Sequence, residues 1–195
     1  MNKKITTFRS KMVPLPLENI DTDQIIPARF LKTTTKEGFG NNLFYDWRYE
    51  ANGNKDKSFV LNDERYCGQV LVVGKNFGCG SSREHAAWAI ADYGFKVVIS
   101  SFFADIFKQN AMNNFVLPIV VSPAFLNTLF NSINANNQCE VEIDLPNQKL
   151  TNLCSGDSIY FDINGYKKHC LIEGLDDIDY LLSNKSKILA WENKE

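Results

Sequence analysis

Residues 70–99 have the sequence VLVVGKNFGCGSSREHAAWAIADYGFKVVI, which predicts the architecture around them. The apolar run Val70–Val73 is typical of a buried strand, and residues Ser82 to Tyr93 have a helical pattern that ends at Gly94. Lys96–Ile99 is a second predicted strand. A strand, a helix and a strand in this order favour parallel pairing through a right-handed crossover.

The same alternation continues toward the C-terminus and then changes to short strands separated by turns, which indicates antiparallel pairing. Ser122 followed by Pro123 is typical of a helix N-cap and the first helical residue. The later predicted elements are a helix over Phe103–Asn114, a strand over Val116–Val121, a helix from Pro123 through Ile133, strands over Cys139–Leu145, Lys149–Leu153 and Ser158–Ile163, and a closing helix over Asp177–Glu192.

The N-terminal part of the chain, Thr7 to Tyr49, contains several prolines and glycines, which favour loops packed on a sheet over long helices. An exposed loop is predicted at Glu50–Lys57. We therefore predict an α/β fold with a partly parallel central sheet and additional antiparallel β structure. Its length suits one domain over residues 1–195.

Composition excludes several classes of function. The formal net charge is −2 and the pI about 5.8, without a basic cluster, so neither nucleic acid nor a membrane surface is an expected partner. No apolar run approaches the roughly 20 residues that span a bilayer, and the N-terminus lacks the apolar segment of a secretory signal. We expect a cytoplasmic protein.

Five cysteines stand at positions 67, 79, 139, 154 and 170 without a C-x-x-C pair, and only two histidines accompany them. In a reducing compartment we expect these cysteines to be thiols. Ligands for a metal ion or cluster would have to come from widely separated positions. We therefore expect no cofactor or metal in this chain, and any metal in another chain.

The loop after the first predicted strand is the predicted binding site, because ligands lie beyond the carboxyl ends of strands in α/β sheets. Gly74, Gly78 and Gly80 allow backbone angles that turn successive N–H groups toward one point. The start of the following helix adds unpaired donors and about half a positive charge. The loop therefore predicts a site for a small anion, and since no nucleotide-binding glycine motif is present, the anion is not expected to be a nucleotide.

Ser81 has two interpretations on spacing alone. With Glu84 it matches a capping box, in which each side chain binds the other residue's main-chain N–H, and otherwise its hydroxyl is available for chemistry. Arg83 is unusual in a first helical turn, where the helix dipole favours acidic residues by about 0.3–1 kcal/mol, and a bound anion would explain it. Cys79 as a nucleophile with His85 as its base is a further hypothesis, with packing or capping by His85 as the alternative.

Several segments together resemble one family. The segment NFGCGSSREHA, residues 76–86, resembles the signature of the swivelling domain of the aconitase superfamily. The other matching segments follow the order seen in bacterial isopropylmalate dehydratase small subunits, and they are Asn19–Leu31, Phe44–Arg48, Asp92–Val98 and Ser101–Phe107. The resemblance covers nearly the whole chain and implies the β/β/α fold of that swivelling domain.

The resemblance also implies a reaction, a partner and a cofactor. In this family a separate large subunit carries a 4Fe–4S cluster, over which the small subunit closes. The reaction interconverts 2-isopropylmalate and 3-isopropylmalate through isopropylmaleate in leucine biosynthesis, so the substrate is a small dicarboxylate. The residues implied by position are Ser81 as general base, Arg83 as a catalytic and carboxylate-binding residue, Ser82 as a substrate contact, and Gly78, Cys79 and Gly80 as the loop that stabilises the oxyanion.

Four further residues are implied to contact or orient the substrate, and each has a structural alternative. Arg48 resembles a second substrate arginine, or it forms a surface salt bridge. Asp23 resembles an active-site aspartate, or it forms an Asx-turn. Phe30 and Leu31 belong to the segment that selects the substrate's side group, or they pack in the core.

Two other functions remain open on the sequence. One is the small subunit of a sister hydro-lyase that acts on citraconate, dimethylmalate or homoaconitate. The other is a non-catalytic anion-binding module that has kept the fold.

Overall fold

Seven strands form one sheet within residues 4–193, the residues that the computed structural model describes. The strands are β1 (Thr7–Leu15), β2 (Val70–Val73), β3 (Val97–Ser100), β4 (Leu117–Val120), β5 (Glu140–Asp144), β6 (Lys149–Asn152) and β7 (Ser158–Tyr160). Their order across the sheet is β4-β3-β2-β1-β5-β6-β7. The first four are parallel, and β5, β6 and β7 continue the sheet with antiparallel pairing.

Helices cover both faces of the sheet because the apolar residues of the parallel strands alternate between two cores. Leu71 and Val73 face a core shared with α3 and α4, while Val70 and Val72 face a core shared with α5. The helices are α1 (Thr22–Ile25), α2 (Tyr45–Arg48), α3 (Glu84–Tyr93), α4 (Asp105–Asn113), α5 (Pro123–Ala135), α6 (Gly165–Glu173), α7 (Asp177–Ser183) and α8 (Lys185–Glu192). Within residues 4–193, no helix has the length and apolar character needed to cross a membrane.

The predicted fold class is confirmed, and so are most elements from β2 to β7. The strand over Val70–Val73 and the Ser122 N-cap of α5 match the predictions directly. The predicted helix over Asp177–Glu192 is instead two helices that meet at Asn184, and α6 was not predicted.

The prediction that the N-terminal part consists mainly of loops is wrong for β1, which lies in the middle of the sheet. Pro14 argues against a central strand because it has no N–H to donate. The structure accommodates it because β5 pairs with β1 only over Thr7–Lys11, whereas β2 pairs with β1 over Met12–Leu15. At Pro14, β1 therefore has a strand partner on one side only.

The prediction of five thiols is also wrong, since Cys139 and Cys154 form a disulfide. The register of the β5–β6 hairpin brings them together: Val141 pairs with Asn152, so the positions two residues farther out, 139 and 154, are opposite each other. Their Cα atoms are 5.8 Å apart, within the usual range for a disulfide. Cys67, Cys79 and Cys170 are free thiols.

Candidate active site at the carboxyl edge of the sheet

The loop between β2 and α3 is held between two other segments of the chain. On one side the Gly78 N–H donates to Ile20 O at 2.8 Å, and the Cys79 carbonyl accepts from Thr22 N at 2.9 Å. On the other side the Phe77 carbonyl accepts from Ala104 N at 3.1 Å. The loop is therefore a fixed part of the sheet edge, although it contains no regular element of its own.

Two glycines in this loop are required by its backbone. Gly78 has φ +76° and is buried, and a Cβ atom on it would overlap the ring of Phe107. Gly80 has φ +85°, which residues other than glycine rarely adopt, although a Cβ atom on it would make only ordinary van der Waals contacts with Asp21 and Thr22. The backbone angles at both positions agree with the prediction that glycines shape this loop.

A cleft of about 270 Å³ opens beside the loop. Its lining combines the loop with the start of α4, and it consists of Thr22, Gly78, Gly80, Ser81, Ser82, Arg83, Ala104, Asp105, Ile106 and Phe107. Five of the predicted site residues therefore meet in one cleft, at the carboxyl edge where ligands of α/β sheets are expected.

The capping-box interpretation of Ser81 is wrong. The helix begins at Glu84 with Arg83 as its N-cap, and Arg83 makes no side-chain capping bond. Glu84 Oε1 instead accepts from Trp88 Nε1 at 3.0 Å and from Asn114 Nδ2 at 3.2 Å. The hydrogen bond from Trp88 lowers the pKa of Glu84 below its ordinary value most strongly, and the bond from Asn114 and the positive charge of Lys36 lower it further. The Ser81 hydroxyl is therefore not used as a cap.

Ser81 itself is fixed through its main chain and keeps a free side chain. Its carbonyl accepts from Thr22 Oγ1 at 2.8 Å. Within residues 4–193, neither the hydroxyls of Ser81 and Ser82 nor the main-chain N–H groups of Gly80, Ser81 and Ser82 have a hydrogen-bond partner. These exposed donors border the cleft together with the uncapped start of α3, which is the arrangement that binds anions.

Arg83 is placed by an ion pair with Asp23, which lies in α1. The arginine side chain is only 15% exposed, whereas the aspartate side chain is 55% exposed. Although Arg83 Nη1 touches Asp23 Oδ1, this buried nitrogen has no correctly oriented hydrogen-bond acceptor in residues 4–193. Its Nε and Nη2 also have no hydrogen-bond partner among these residues and, unlike Nη1, they are not buried, so they are the donors that a ligand carboxylate could reach. Asp23 makes no Asx-turn in residues 4–193; the aspartate that bonds to the main chain here is Asp21, whose Oδ1 accepts from Gln24 N and caps α1.

Cys79 and His85 are not arranged as a nucleophile and its base. His85 Nε2 lies 3.3 Å from the carbonyl oxygen of Thr33, and its ring packs on Trp88 at a centroid distance of 4.4 Å. Cys79 is a partly exposed thiol in the loop. The packing alternative for His85 is therefore the one that the structure favours.

The structure does not bring Arg48 to the loop. Arg48 is 5% exposed, and its Nη1 donates to the carbonyls of Asn41 and Leu43 at 3.2 and 3.3 Å. Its guanidinium also lies 4.9 Å from the ring centroid of Tyr93, the last residue of α3, and Arg48 does not line the cleft. The surface salt bridge predicted as its alternative is wrong, because Arg48 is buried and binds carbonyls.

Phe30 and Leu31 are half-buried and do not line the cleft. Both pack against the core on the α3 side of the sheet, and the Phe30 ring lies 5.1 Å from that of Tyr45. The core-packing alternative therefore describes their position in this chain. The next residues, 32–37, run toward the start of α3.

Two residues of the site were not singled out in the sequence. Thr22 holds both Cys79 and Ser81, and the only local indication was its place between Asp21 and Asp23. Ile106 lines the cleft and is 53% exposed, unusual for an isoleucine in a helix that packs on a core. Periodicity alone places Ile106 in α4 but does not show that it faces a cleft.

Other cavities lie away from the predicted site residues. One of about 490 Å³ lies at the opposite edge of the sheet, between Trp88, Phe95 and Lys96, and one of about 590 Å³ lies between α4 and the start of α6. Among residues 4–193, no three His, Cys, Asp or Glu side chains are grouped in a way that could hold a metal ion.

Comparisons with known proteins agree with this geometry. Residues 2–124 match the family model described as the aconitase C-terminal domain. The chain is 63% identical to the 3-isopropylmalate dehydratase small subunit of Azobacteroides pseudotrichonymphae over 97% of both chains. It is 60% identical to the small subunit of Cytophaga hutchinsonii, over 97% of this chain and 94% of that one. Among solved structures, 3-isopropylmalate dehydratase (leuD) of Methanocaldococcus jannaschii matches with a TM-score of 0.68 and 28% identity, over 97% of this chain and 100% of that one.

Proposed function

This chain belongs to the family of 3-isopropylmalate dehydratase small subunits, with an aconitase C-terminal domain, and we propose from this premise that its loop 78–83 is half of an active site. Members of the family are hydro-lyases of the aconitase superfamily that act with a large subunit. The reaction interconverts 2-isopropylmalate and 3-isopropylmalate in leucine biosynthesis. Water leaves to give isopropylmaleate and is added back with the hydroxyl and the hydrogen exchanged between the two carbons.

The proposed base is the Ser81 side chain. As an alkoxide it takes the proton from the carbon next to a carboxylate, and it returns a proton to the other carbon when water is added. A serine hydroxyl is far too weakly acidic to lose its proton unaided. The unpaired N–H groups of Gly80, Ser81 and Ser82 and the uncapped start of α3 would stabilise its negative charge.

Arg83 is the proposed carboxylate ligand. Its planar guanidinium can bind a carboxylate through two parallel hydrogen bonds, which fixes the orientation of the substrate as well as its position. Asp23 keeps the arginine side chain in place, and Ser82 supplies a further hydroxyl to the substrate. Phe30 and Leu31 are proposed to receive the isopropyl group when the complex is assembled. Arg48 is left out of the proposed machinery.

The partner is the large subunit, and we propose that it carries the 4Fe–4S cluster. Cys67, Cys79 and Cys170 are free thiols of this chain, and none of them is assigned to the cluster in this proposal. When bound, the cluster supplies Lewis-acid chemistry at the hydroxyl that leaves. Residues 1–195 would act as a single swivelling domain that closes Ser81 and Arg83 over the substrate. A cytoplasmic setting is proposed for the complex from the biosynthetic role of the family.

One observation carries this proposal. Among residues 4–193, a serine hydroxyl without a hydrogen-bond partner shares a cleft with an arginine whose accessible Nε and Nη2 have no partner either. A non-catalytic anion-binding module would account for the arginine but leave the free serine without a purpose. The sister hydro-lyases would use the same two residues, so they differ from this proposal only in the substrate.

The test is to reconstitute the complex with a cluster-loaded large subunit under anaerobic conditions. Turnover is then measured from the ultraviolet absorbance of isopropylmaleate. The wild-type complex should turn over 2-isopropylmalate faster than citraconate, dimethylmalate or homoaconitate. Replacing Ser81 by Ala should lower kcat by about 10²–10⁴-fold, the usual contribution of a general base, with complex formation unchanged. Ser186→Ala, an exposed serine on α8, is the matched control. Full activity of the Ser81 variant would reject the proposed base.

A further inference from the structure

Residues 32–37, here called the strap, cross the first turn of α3. The strap has no regular secondary structure, and its residues other than Thr33 are exposed. It follows Phe30 and Leu31 directly and leads into the buried Phe39. An exposed, irregular segment keeps one position only if specific contacts hold it.

The first contact is made by His85. Its Nε2 lies 3.3 Å from the Thr33 carbonyl oxygen, and because a carbonyl only accepts, Nε2 must carry the proton in this bond. The His85 ring is itself fixed between Trp88 and Phe39, at centroid distances of 4.4 and 5.7 Å. The donor therefore points at the strap from a packed side chain.

The second contact is made by Lys36, at the other end of the strap. Lys36 Nζ donates to Asn114 Oδ1 at 2.8 Å and lies 3.9 Å from Glu84 Oε1. It also lies 4.8 Å from the ring centroid of Trp88, a distance typical of a cation–π contact. Glu84 is also bonded to Trp88 and Asn114, so three interconnected side chains hold this end of the strap.

Both contacts involve the start of α3, which bears the proposed active site, although the hydrogen bond of Lys36 itself goes to Asn114 at the end of α4. Glu84 and His85 are the first two residues of α3 and follow Arg83 directly. The same turn of helix therefore fixes the proposed carboxylate ligand on one side and the strap on the other. Because the strap follows Phe30 and Leu31 directly in the chain, a movement of the strap would also displace these two residues.

We propose that His85 and Lys36 are positioning residues, which hold the strap on α3 and thereby set how tightly and how selectively the complex binds its substrate's side group. The proposal rests on the function proposed above, because it assumes that the substrate binds beside Ser81 and Arg83. Neither residue is proposed to touch the reacting atoms.

Tryptic cleavage of the full chain tests whether these contacts hold the strap. Loss of one hydrogen bond changes an equilibrium by about 2- to 10-fold, so His85→Phe, which keeps an aromatic ring but has no N–H, should speed cleavage after Lys32 by that factor. His85→Gln keeps a donor and should be closer to wild type. Lys36→Met should act like His85→Phe. Cleavage after Lys57, in the separate loop 50–57, is the internal control and should not change.

Kinetics of the reconstituted complex test the consequence for the substrate. His85→Phe and Lys36→Met should raise KM for 2-isopropylmalate by about 2- to 10-fold, with kcat within about 2-fold of wild type. They should also reduce the preference for 2-isopropylmalate over 2-methylmalate, whose side group is smaller. A merely structural role would not change that preference, and His85→Gln should restore part of it.

Unchanged cleavage after Lys32 in both variants would overturn the proposed contacts. Faster cleavage with unchanged KM and unchanged substrate preference would overturn the positioning role. An inactive wild-type complex would reject the proposed function, and with it the selectivity claim, while the cleavage experiment on the chain alone would still decide whether His85 and Lys36 hold the strap.

Discussion

The carboxylate of Asp23, in α1, is the counter-ion of Arg83, which precedes α3. The pair joins the N-terminal part of the chain to the loop after β2, and it leaves the Nε and Nη2 of the arginine without a hydrogen-bond partner in residues 4–193. A guanidinium held in this way is neutralised but not fully hydrogen-bonded, which is the state expected of a ligand site waiting for a carboxylate.

Replacing Asp23 by Asn should destabilise the chain by no more than about 1 kcal/mol, because the lost carboxylate is more than half exposed. A small dicarboxylate such as malonate should restore more stability to this variant than to wild type, since it replaces the missing counter-ion. Urea unfolding with and without malonate measures both effects. Asp63→Asn, which removes the partner of the exposed Arg65, is the control and should show no extra response to malonate.

Replacing Gly78 by Ala should destabilise the chain by about 2–5 kcal/mol. A positive φ costs an alanine about 1–2 kcal/mol, and overlap of the new Cβ with Phe107 adds about 1–3 kcal/mol. Gly165→Ala, at the first position of α6 with open space beside it, should be nearly neutral. Chemical unfolding of both variants gives the comparison, and equal stabilities would contradict the role assigned to the loop backbone.

The stability that Glu84 contributes should depend on pH in one direction. Its pKa is lowered on folding, so its contribution is complete above the unfolded value of about 4.3 and is lost as pH falls through the lower, folded value. Glu84→Gln should therefore reduce the free energy of unfolding by less than about 1 kcal/mol at pH 7, since the side chain is half exposed, and by progressively less below pH about 4.

Unfolding curves of wild type and Glu84→Gln between pH 3 and 7 check this prediction. The other carboxyls with lowered pKa, such as those of Asp46 and Asp177, titrate in both proteins, so their effects cancel in the difference. A difference that grows as the pH is lowered would contradict the assigned direction.

Replacing Cys154 by Ser should lower stability in the oxidised protein by about 3 kcal/mol, the value expected for a closed loop of 15 residues. In the presence of a reductant, the variant and wild type should become similar. Cys67→Ser, which removes an exposed free thiol, should have little effect in either condition. Titration of five thiols per chain in unreduced protein would contradict the disulfide.

Local patterns predicted those parts of the fold in which neighbouring residues suffice. The uninterrupted apolar run Val70–Val73 and the pair Ser122–Pro123 carry their own structural preference, and both were found where predicted. β1 was missed because Pro14 opposes a strand locally. Only its pairing with β2 on one side makes this strand acceptable.

The site residues also divide into those that local patterns predicted and those that depend on distant contacts. The glycines, Ser81 and Arg83 could be selected from composition and spacing, because anion-binding loops need those residue types. Spacing could not decide whether Ser81 caps α3, since the outcome depends on Trp88 and Asn114, which bind Glu84, and on Thr22, which binds the Ser81 carbonyl. Arg48 is the opposite case. The resemblance predicted a substrate contact from the residue type, but the fold buries this side chain away from the cleft beside the loop.

By itself, the sequence determined that a glycine-rich loop with a serine and an arginine follows a buried strand and precedes a helix, because backbone preferences and apolar periodicity act over a few residues. Only the tertiary structure decided that Asp23 neutralises Arg83, that His85 binds the strap and that Cys139 meets Cys154. The two residues of each contact are 60, 52 and 15 positions apart in the sequence, in that order. Residues so far apart are brought together by the packing of the sheet and not by local preference.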